Sequence, residues 1–323
     1  MLDCTVVGDV MMDVVMRSDS SIVGALRIDG TNYFSEAKIT PGGSGNVAAA
    51  VSWLGGRVAF IGKSGNDTYG RFYREGLESN NVISRIEIDS LVPTGLAVCL
   101  VEPSGRRTML VSRGANNKLT PEEVKRNLAK IGRSRFLYLP GYSLVRTPQR
   151  DAILEAARLG RELGSQIVFD PGASNLIRSF PSAFKKAIGG CDILCANLSE
   201  IKALARGRDS RQYARLLSSR GKLVIIKRGR KGCIIAEGGQ TAVVSGVRLR
   251  TVDTTGAGDA FIAAFLYSLS RNHGLKVSAA FANWFAAKTT EGLGPRHFPP
   301  RQEAQSYLRS VVRRLSEKGR GSE

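Results

Sequence analysis

The sequence predicts an α/β fold: a mainly parallel sheet with helices on both faces, and a small antiparallel β lid over one edge. Three observations lead there. Short β-branched apolar runs alternate with helix-length segments along most of the 323 residues, the pattern of parallel strands joined by crossover helices. Two stretches, 14–39 and 94–113, break that rhythm with strand-like patterns and no helix inside them. At 42% hydrophobic and 23% charged residues, the chain has ordinary globular composition and ample material for a core.

The elements follow in order. Val6-Val7-Gly8 opens a strand; an alanine-rich helix over 44–54 is stopped by Gly55-Gly56. A strand at 58–61 and a helix at 67–79 come next. Runs at 95–101 and 107–111 flank a Pro103-Ser104-Gly105 turn and read as a hairpin. Helices are expected at 121–131, 149–163, 182–188, 199–205, 211–219 and 262–269, with strands at 136–139, 167–170, 193–196 and 223–227. The division predicted is a core of 1–13, 40–93 and 114–323, and a lid of 14–39 and 94–113. Ligands of open α/β sheets bind at the carboxyl ends of the strands, so the lid is expected to cover that edge.

Composition removes several function classes. No apolar run has the roughly 18 residues of a membrane span, and the start, Met1-Leu2-Asp3-Cys4, lacks a basic leader and runs straight into a strand. A cytoplasmic protein is expected. Cys4, Cys99, Cys191, Cys195 and Cys233 are scattered without a Cys-x-x-Cys pair and read as reduced, packed thiols. His273 and His297 alone argue against a histidine metal site or a Ser/His/Asp hydrolase. The formal charge of +19 raises nucleic-acid binding. However, the arginines sit at helix-surface spacings without interleaved aromatics, so a solvated basic face that draws in anionic nucleotides is the reading adopted.

The chemistry concentrates in Val252-Asp253-Thr254-Thr255-Gly256-Ala257-Gly258-Asp259-Ala260-Phe261, which leads into an apolar helix. Small residues before a helix let backbone N–H groups converge where the helix dipole adds positive potential. Such an anion hole suits a migrating phosphoryl group, and Asp259 beside it has the type and place to accept a hydroxyl proton. On these residues alone, an ordinary turn with Asp259 as a helix cap accounts for the segment equally well. Pro41-Gly42-Gly43-Ser44-Gly45-Asn46 permits close approach to a polyhydroxylated ligand; the plainer reading is a loop with Ser44 capping the next helix. Asp9 and Asp13 place two carboxylates at the exit of the first strand. Gly56 and Gly62-Lys63-Ser64 imitate a phosphate loop, but five residues separate the glycines and a strand occupies them, so that reading is rejected. No Gly-x-Gly-x-x-Gly follows the first strand, which removes the loop a dinucleotide-dependent dehydrogenase needs.

In this order and across nearly the whole chain, these segments resemble the PfkB/ribokinase family of carbohydrate and nucleoside kinases. The match is most specific from Asp253 to Leu266; the segment from Gly42 is a residue shorter than the ribokinase form and more similar to fructokinase or heptose-kinase relatives. The resemblance implies a ribokinase-like three-layer core, ATP and Mg²⁺, and these roles. Asp259 is the base, and the amides of Gly256, Ala257 and Gly258 form the anion hole. Asp13, Gly42, Gly43, Asn46 and Asn116 hold the acceptor. Asn197 and Glu200 form the Asn-x-x-Glu element that places phosphates and Mg²⁺ through water. Lys227, Gly229, Gly232 and Asn283 line the nucleotide, Lys227 standing where ribokinase has a small hydroxyl residue. Asp253 falls where cation-activated members bind K⁺. Asp170-Pro171-Gly172 lacks the downstream Asn and Arg of relatives that handle acidic keto-sugars.

The function expected is transfer of the γ-phosphate of ATP to a hydroxyl of a sugar or sugar phosphate. A nucleoside kinase and a catalytically idle binding protein are the alternatives. The partners expected are that small acceptor, no membrane and no nucleic acid as a main function. The exposed edges of the lid point to a homodimer.

Overall fold

The computed structural model describes residues 1–19, 21, 22, 26, 27, 29–103 and 107–320. The chain enters on β1 (Leu2–Val7), then β2 (Val10–Arg17), β3 (Glu36–Gly43), α1 (Gly45–Trp53), β4 (Val58–Gly65), α2 (Thr68–Glu78) and β5 (Ile83–Asp89). The hairpin β6 (Gly95–Val101) and β7 (Arg107–Ser112) follows, then α3 (Pro121–Ile131), β8 (Ser134–Pro140), α4 (Gln149–Glu162), β9 (Gln166–Asp170), α5 (Ser174–Ser179) and α6 (Pro181–Gly190). Next come β10 (Ile193–Asn197), α7 (Leu198–Ala205), α8 (Ser210–Ser218), β11 (Leu223–Lys227), β12 (Cys233–Glu237) and β13 (Gln240–Val244). Three helices finish the fold: α9 (Ala257–Ser270), α10 (Leu275–Thr289) and α11 (Arg301–Arg320).

Period-two burial splits the large sheet into two cores. Val6, Phe60, Tyr138, Val168, Cys195 and Ile225 face α1, α9 and α10, whereas their neighbours Val7, Ile61, Leu137, Ile167, Leu194 and Val224 face α3, α4, α6 and α8. Both faces being covered, the strands read as continuous apolar runs. The helices on the first face, α1 and α9, are apolar all round because both are buried between the sheet and other helices. By contrast α3 is amphipathic and sharply begun: Thr120 and Glu123 form a reciprocal capping box and Pro121 is its first residue.

The sheet order is β13-β12-β11-β10-β9-β8-β1-β4-β5, parallel except at β12 and β13. Connections run outward in one direction from β1 to β4 and β5, and in the other from β8 onward. The crevice at that reversal is where such sheets bind ligands.

The second sheet has the order β3-β2-β6-β7. It takes in more chain than the broken alternation indicated, beginning at Val10 rather than 14 and reaching Gly43 rather than 39. Only Gly8 and Asp9 separate β1 in one sheet from β2 in the other, so the apolar pattern runs through the change of sheet without a mark. The lid is also mixed rather than wholly antiparallel: β2 pairs with β3 and β6 with β7 antiparallel, but β2 with β6 parallel. Residues 104 and 105 of the expected hairpin turn lie outside the described residues. Further elements escaped the sequence reading: β5, α5, the β12–β13 edge and α10.

Asn116, in a 3-10 turn after β7, fastens the lid to the core. Its side chain accepts from Val10 N at 2.7 Å and donates to Val10 O at 2.7 Å and Arg113 O at 2.8 Å. It is wholly buried, so truncation orphans both backbone groups of Val10. Asn116→Ala is expected to lower stability by about 2–3 kcal/mol, read as a denaturant midpoint shift at constant slope; a loss below about 1 kcal/mol would show that the strut carries little.

Candidate active site

Successive strand ends deliver polar groups to one cavity of about 570 Å³ beneath the lid. Asp9 follows β1, Pro140 ends β8, Asp170 ends β9, Asn197 ends β10 and Lys227 ends β11, all on its wall. Parallel register sets Pro140 opposite Asp170 and Asn197 opposite Lys227. The lid supplies the roof: Asp13, Ala97 and Val111 are register partners in one row, and with Met11 and Met109 they face the cavity.

In the half beneath the lid, Asp13 lies over Gly42, where a Cβ would meet its Oδ2 at 2.1 Å, so only glycine fits beneath that carboxylate. Gly43 has φ 57°. Ser44 is in the helical region and its side chain caps nothing on α1; its Oγ accepts from Asp9 N at 3.0 Å instead. Tyr73 Oη accepts from Gly45 N at 3.1 Å and donates to Gly42 O at 3.0 Å, fixing the loop from behind. Asp9 Oδ1 accepts from Arg113 Nη2 at 2.8 Å, Ser143 Oγ at 2.8 Å and Gln149 Nε2 at 2.6 Å, a buried ion pair with its polar needs met.

The chain turns into α9 at Gly256, whose φ of 74° is left-handed and whose Cβ position lies 2.6 Å from Pro295 Cβ. Ala260 is the first amide to return in the helical pattern, to Gly256 O at 2.8 Å. The amides ahead of it have no helical partner. Ala257 N is the one partly engaged, with Thr254 O at 3.3 Å. Asp259 sits in this first turn and faces the cavity, its Oδ2 accepting from Asn46 Nδ2 at 3.1 Å.

The other half is ionic. Lys227 Nζ lies 2.9 Å from Asp170 Oδ2, and 3.6 Å from where a Cβ on Gly258 would stand, so the ammonium borders the mouth of α9. Against the cost of burial, the carboxylates of Asp170 and Glu200 raise its pKa and keep it charged. Glu200 is buried; burial first, then Asp170, pushes its pKa up to about 7. Asn197 N donates to Glu200 Oε2 at 2.8 Å, Asn197 Nδ2 bonds Oε1, and Glu200 N returns to Asn197 Oδ1 at 2.9 Å. Asn197 and Glu200 are therefore a helix capping box as well as cavity lining. Gly229 (φ 56°) and Gly232 (φ 80°) shape the turn after β11, and Asn283 Nδ2 bonds Val244 O at 3.3 Å and Ser245 O at 3.2 Å. Apolar Val247, Leu249, Phe261, Ala286 and Ala287 wall this end.

Most of the predicted residues meet at the cavity: Asp13, Gly43, Asn46, Asn197, Glu200, Lys227, Gly229, Gly232, Gly256, Ala257, Gly258, Asp259 and Asn283 all line it. Three further residues named from the sequence lie off the cavity wall. Asn116 has its side-chain amide bonded to Val10. Gly42 lies behind Asp13 rather than on the wall. Asp253 is set back in its loop, Oδ1 accepting from Thr255 N at 2.9 Å and Thr255 Oγ1 at 2.7 Å, and Oδ2 from Gly294 N at 2.9 Å. Asp170, Arg113, Gln149 and Arg296 were not predicted. Asp170 ends an apolar strand, which is a usable signal; the other three join the site through contacts that no local pattern encodes. The phosphate-loop imitation is disposed of: Lys63 sits within β4, 2.7 Å from Glu123. The five cysteines are buried and none is in a disulfide. Among the described residues no helix is long and apolar enough to cross a membrane.

Comparison with known proteins matches residues 1–302 to the model of the pfkB family carbohydrate kinases. The chain is 31% identical over 290 residues to Probable fructokinase-5 of Arabidopsis thaliana, covering 84% of this chain and 88% of that one. It is 28% identical over 276 residues to the aminoimidazole riboside kinase of Salmonella typhimurium, covering 82% and 80%. Among solved structures, adenosine kinase from Sinorhizobium meliloti superposes with a TM-score of 0.86 at 27% identity, over 95% of this chain and 99% of that one.

Glu200 gives a prediction with a definite sign. Its folded pKa of about 7 lies above its ordinary 4.5, so between these values the native state holds more protons than the unfolded chain. The stability it contributes is complete below about pH 4.5 and is lost as pH rises toward 7. Glu200→Gln is therefore expected to be more stable than the parent at pH 8, by on the order of 1 kcal/mol, with the gap closing at pH 4.5. Thermal melts of both proteins across this range check it; a constant gap would contradict it.

Proposed function

The chain belongs to the pfkB family of carbohydrate kinases, and on that footing we propose that it transfers the γ-phosphate of ATP to a hydroxyl of a neutral sugar, with Asp259 as the base. The observation that carries this reading is the meeting, in one covered cavity, of Asp259, the mouth of α9 and the lid carboxylate Asp13.

The acceptor binds between lid and sheet, its hydroxyls held by Asp13 and the Gly43–Asn46 loop. One hydroxyl points at Asp259. As its oxygen attacks phosphorus in line, its proton passes to the Asp259 carboxylate, and the bond to the leaving ADP oxygen breaks. Charge on the transferred group is met by the amides of Gly256 and Gly258 and by the dipole of α9, with Lys227 alongside. The lid excludes water, which keeps hydrolysis of ATP slow without acceptor. The nucleotide lies toward Gly229, Gly232 and Asn283, where Val247, Leu249 and Ala287 suit a flat ring.

Mg²⁺ is implied by the family, and the residues fit it. Glu200 and Asp170 are hard oxygen donors on the cavity wall, and the oxygens of Glu200 already take hydrogen bonds from Asn197, which favours contact through water. The ion would neutralise phosphate oxygens there. At Asp253 both oxygens are engaged by backbone and hydroxyl donors, so no step is assigned to K⁺.

Among the described residues, the one acceptor-side arginine on the wall, Arg113, is neutralised by Asp9. That favours a neutral acceptor over a sugar phosphate. A nucleoside is the second reading, because Met11, Ala97, Met109, Val111 and Tyr142 offer an apolar face beside the hydroxyl site.

The test is ADP release with Mg²⁺ and ATP across free sugars, sugar phosphates and nucleosides. Turnover is expected with one class, falling about 100-fold or more in Asp259→Asn while ATP affinity by calorimetry changes little. Near-normal turnover in that variant would refute the base assignment. Lys227→Met is expected to weaken ATP binding more than ADP binding, by about tenfold. Equal losses for both nucleotides would place Lys227 away from the γ-phosphate.

A further inference from the structure

Arg296 lies outside every motif of the sequence and off the cavity wall, yet it ends a chain of contacts that reaches the base. Arg296 Nε donates to Asn46 Oδ1 at 3.1 Å, and Asn46 Nδ2 donates to Asp259 Oδ2 at 3.1 Å. With a guanidinium on one side and a carboxylate on the other, the Asn46 amide has one orientation that satisfies both; turned over, it would set donor against donor and acceptor against acceptor. We propose that Arg296 is a positioning residue for phosphoryl transfer, which locks the Asn46 amide in the orientation that donates to Oδ2 of Asp259 and so fixes how that carboxylate faces the cavity.

Three observations support it. Arg296 Nη2 is enclosed and meets no hydrogen-bond partner among the described residues. A group left so costs about 1–3 kcal/mol, a poor choice for a residue whose task is stability. Burial lowers the pKa of the guanidinium, and the carboxylates of Asp13 and Asp259 act against that, so its field falls on the base and on the lid carboxylate together. Finally, the segment that carries Arg296 is pinned from several sides. Gly294 N bonds Asp253, Pro295 packs on Gly256, Lys38 Nζ of β3 bonds Leu293 O at 3.1 Å, and Trp53 Nε1 bonds Pro299 O at 2.9 Å. The same stretch thus props the anion hole, touches the lid and aims Arg296. A group held by rigid neighbours can hold another in turn.

The inference rests on Asp259 being the base, so its test has one arm that needs no acceptor. The side-chain amide resonances of Asn46, assigned by their loss in Asn46→Ala, are followed by ¹H–¹⁵N NMR in Arg296→Met and Asp259→Asn. Both variants are expected to move them; resonances unmoved in Arg296→Met overturn the proposal, whatever the acceptor panel gives. The second arm is kinetic, with the acceptor that turns over. Arg296→Met should lower kcat by about tenfold or more with the KM for ATP within about threefold, and Arg296→Lys should recover part of the loss. Because Arg296 acts through Asn46, the double variant should lose no more than Asn46→Ala alone. Multiplying losses, or a kcat within twofold of the parent, overturn it. Unchanged melting temperatures would separate the effect from misfolding. Failure of Asp259→Asn to slow turnover would refute the function reading instead, and is read separately.

Discussion

Gly256 turns the chain at φ 74° with Pro295 packed where a side chain would begin, and from that turn α9 runs into the middle of the core. The site's geometry follows from it. The turn sets the direction of the first amides of α9, and so where an anion can sit. It also places Asp259 at the third position of the helix, in its first turn, beside that anion rather than behind it. Because α9 is buried on all sides between α1, α10 and the sheet, its N-terminus cannot drift. A helix whose neighbours fix its axis is a better electrostatic device than one on the surface, where solvent would screen the same dipole.

Around that point the charges are arranged in compensated groups. Asp9 is paired with Arg113, and Asp170 with Lys227, both buried. Asp13 and Asp259 share the field of Arg296. Removing one member of a buried pair leaves a charge in a poor solvent, which is why such sites respond strongly to single substitutions. The compensation divides the cavity by chemistry: beneath the lid Arg113 is held by Asp9, and at the other end Lys227, held by Asp170, borders the mouth of α9. The formal +19 of the chain far exceeds the charge of these few groups, and a net charge of that size acts on anions at long range rather than on the chemistry.

How far the sequence was legible depended on whether the information was local. Thr120-Pro121-Glu122-Glu123 marks the start of α3 because the capping box is itself a local hydrogen-bonded unit, and that boundary was read correctly. The small residues ahead of Asp259 were legible for the same reason. β5 was missed because as an edge strand it exposes Ile83, Arg85 and Ile88 and lacks an apolar run, and α5 because six residues give too little period to see. The change of sheet at Asp9 left no trace, since β1 and β2 are equally apolar. Asn116 and Arg296 were illegible in principle: their partners lie 106 and 250 residues away, and an Asn or an Arg in a loop carries no mark of what it will meet.

The central claim is that one point, the N-terminus of α9, receives the group being transferred. A crystal structure with Mg²⁺ and a non-hydrolysable ATP analogue tests it most directly. The terminal phosphate is expected within hydrogen-bond distance of the Gly256 or Gly258 amide, with the Lys227 ammonium turned toward it and Asp259 facing it across the space where the acceptor would bind. A terminal phosphate bound elsewhere in the cavity, with those amides and Asp259 untouched, would contradict the account.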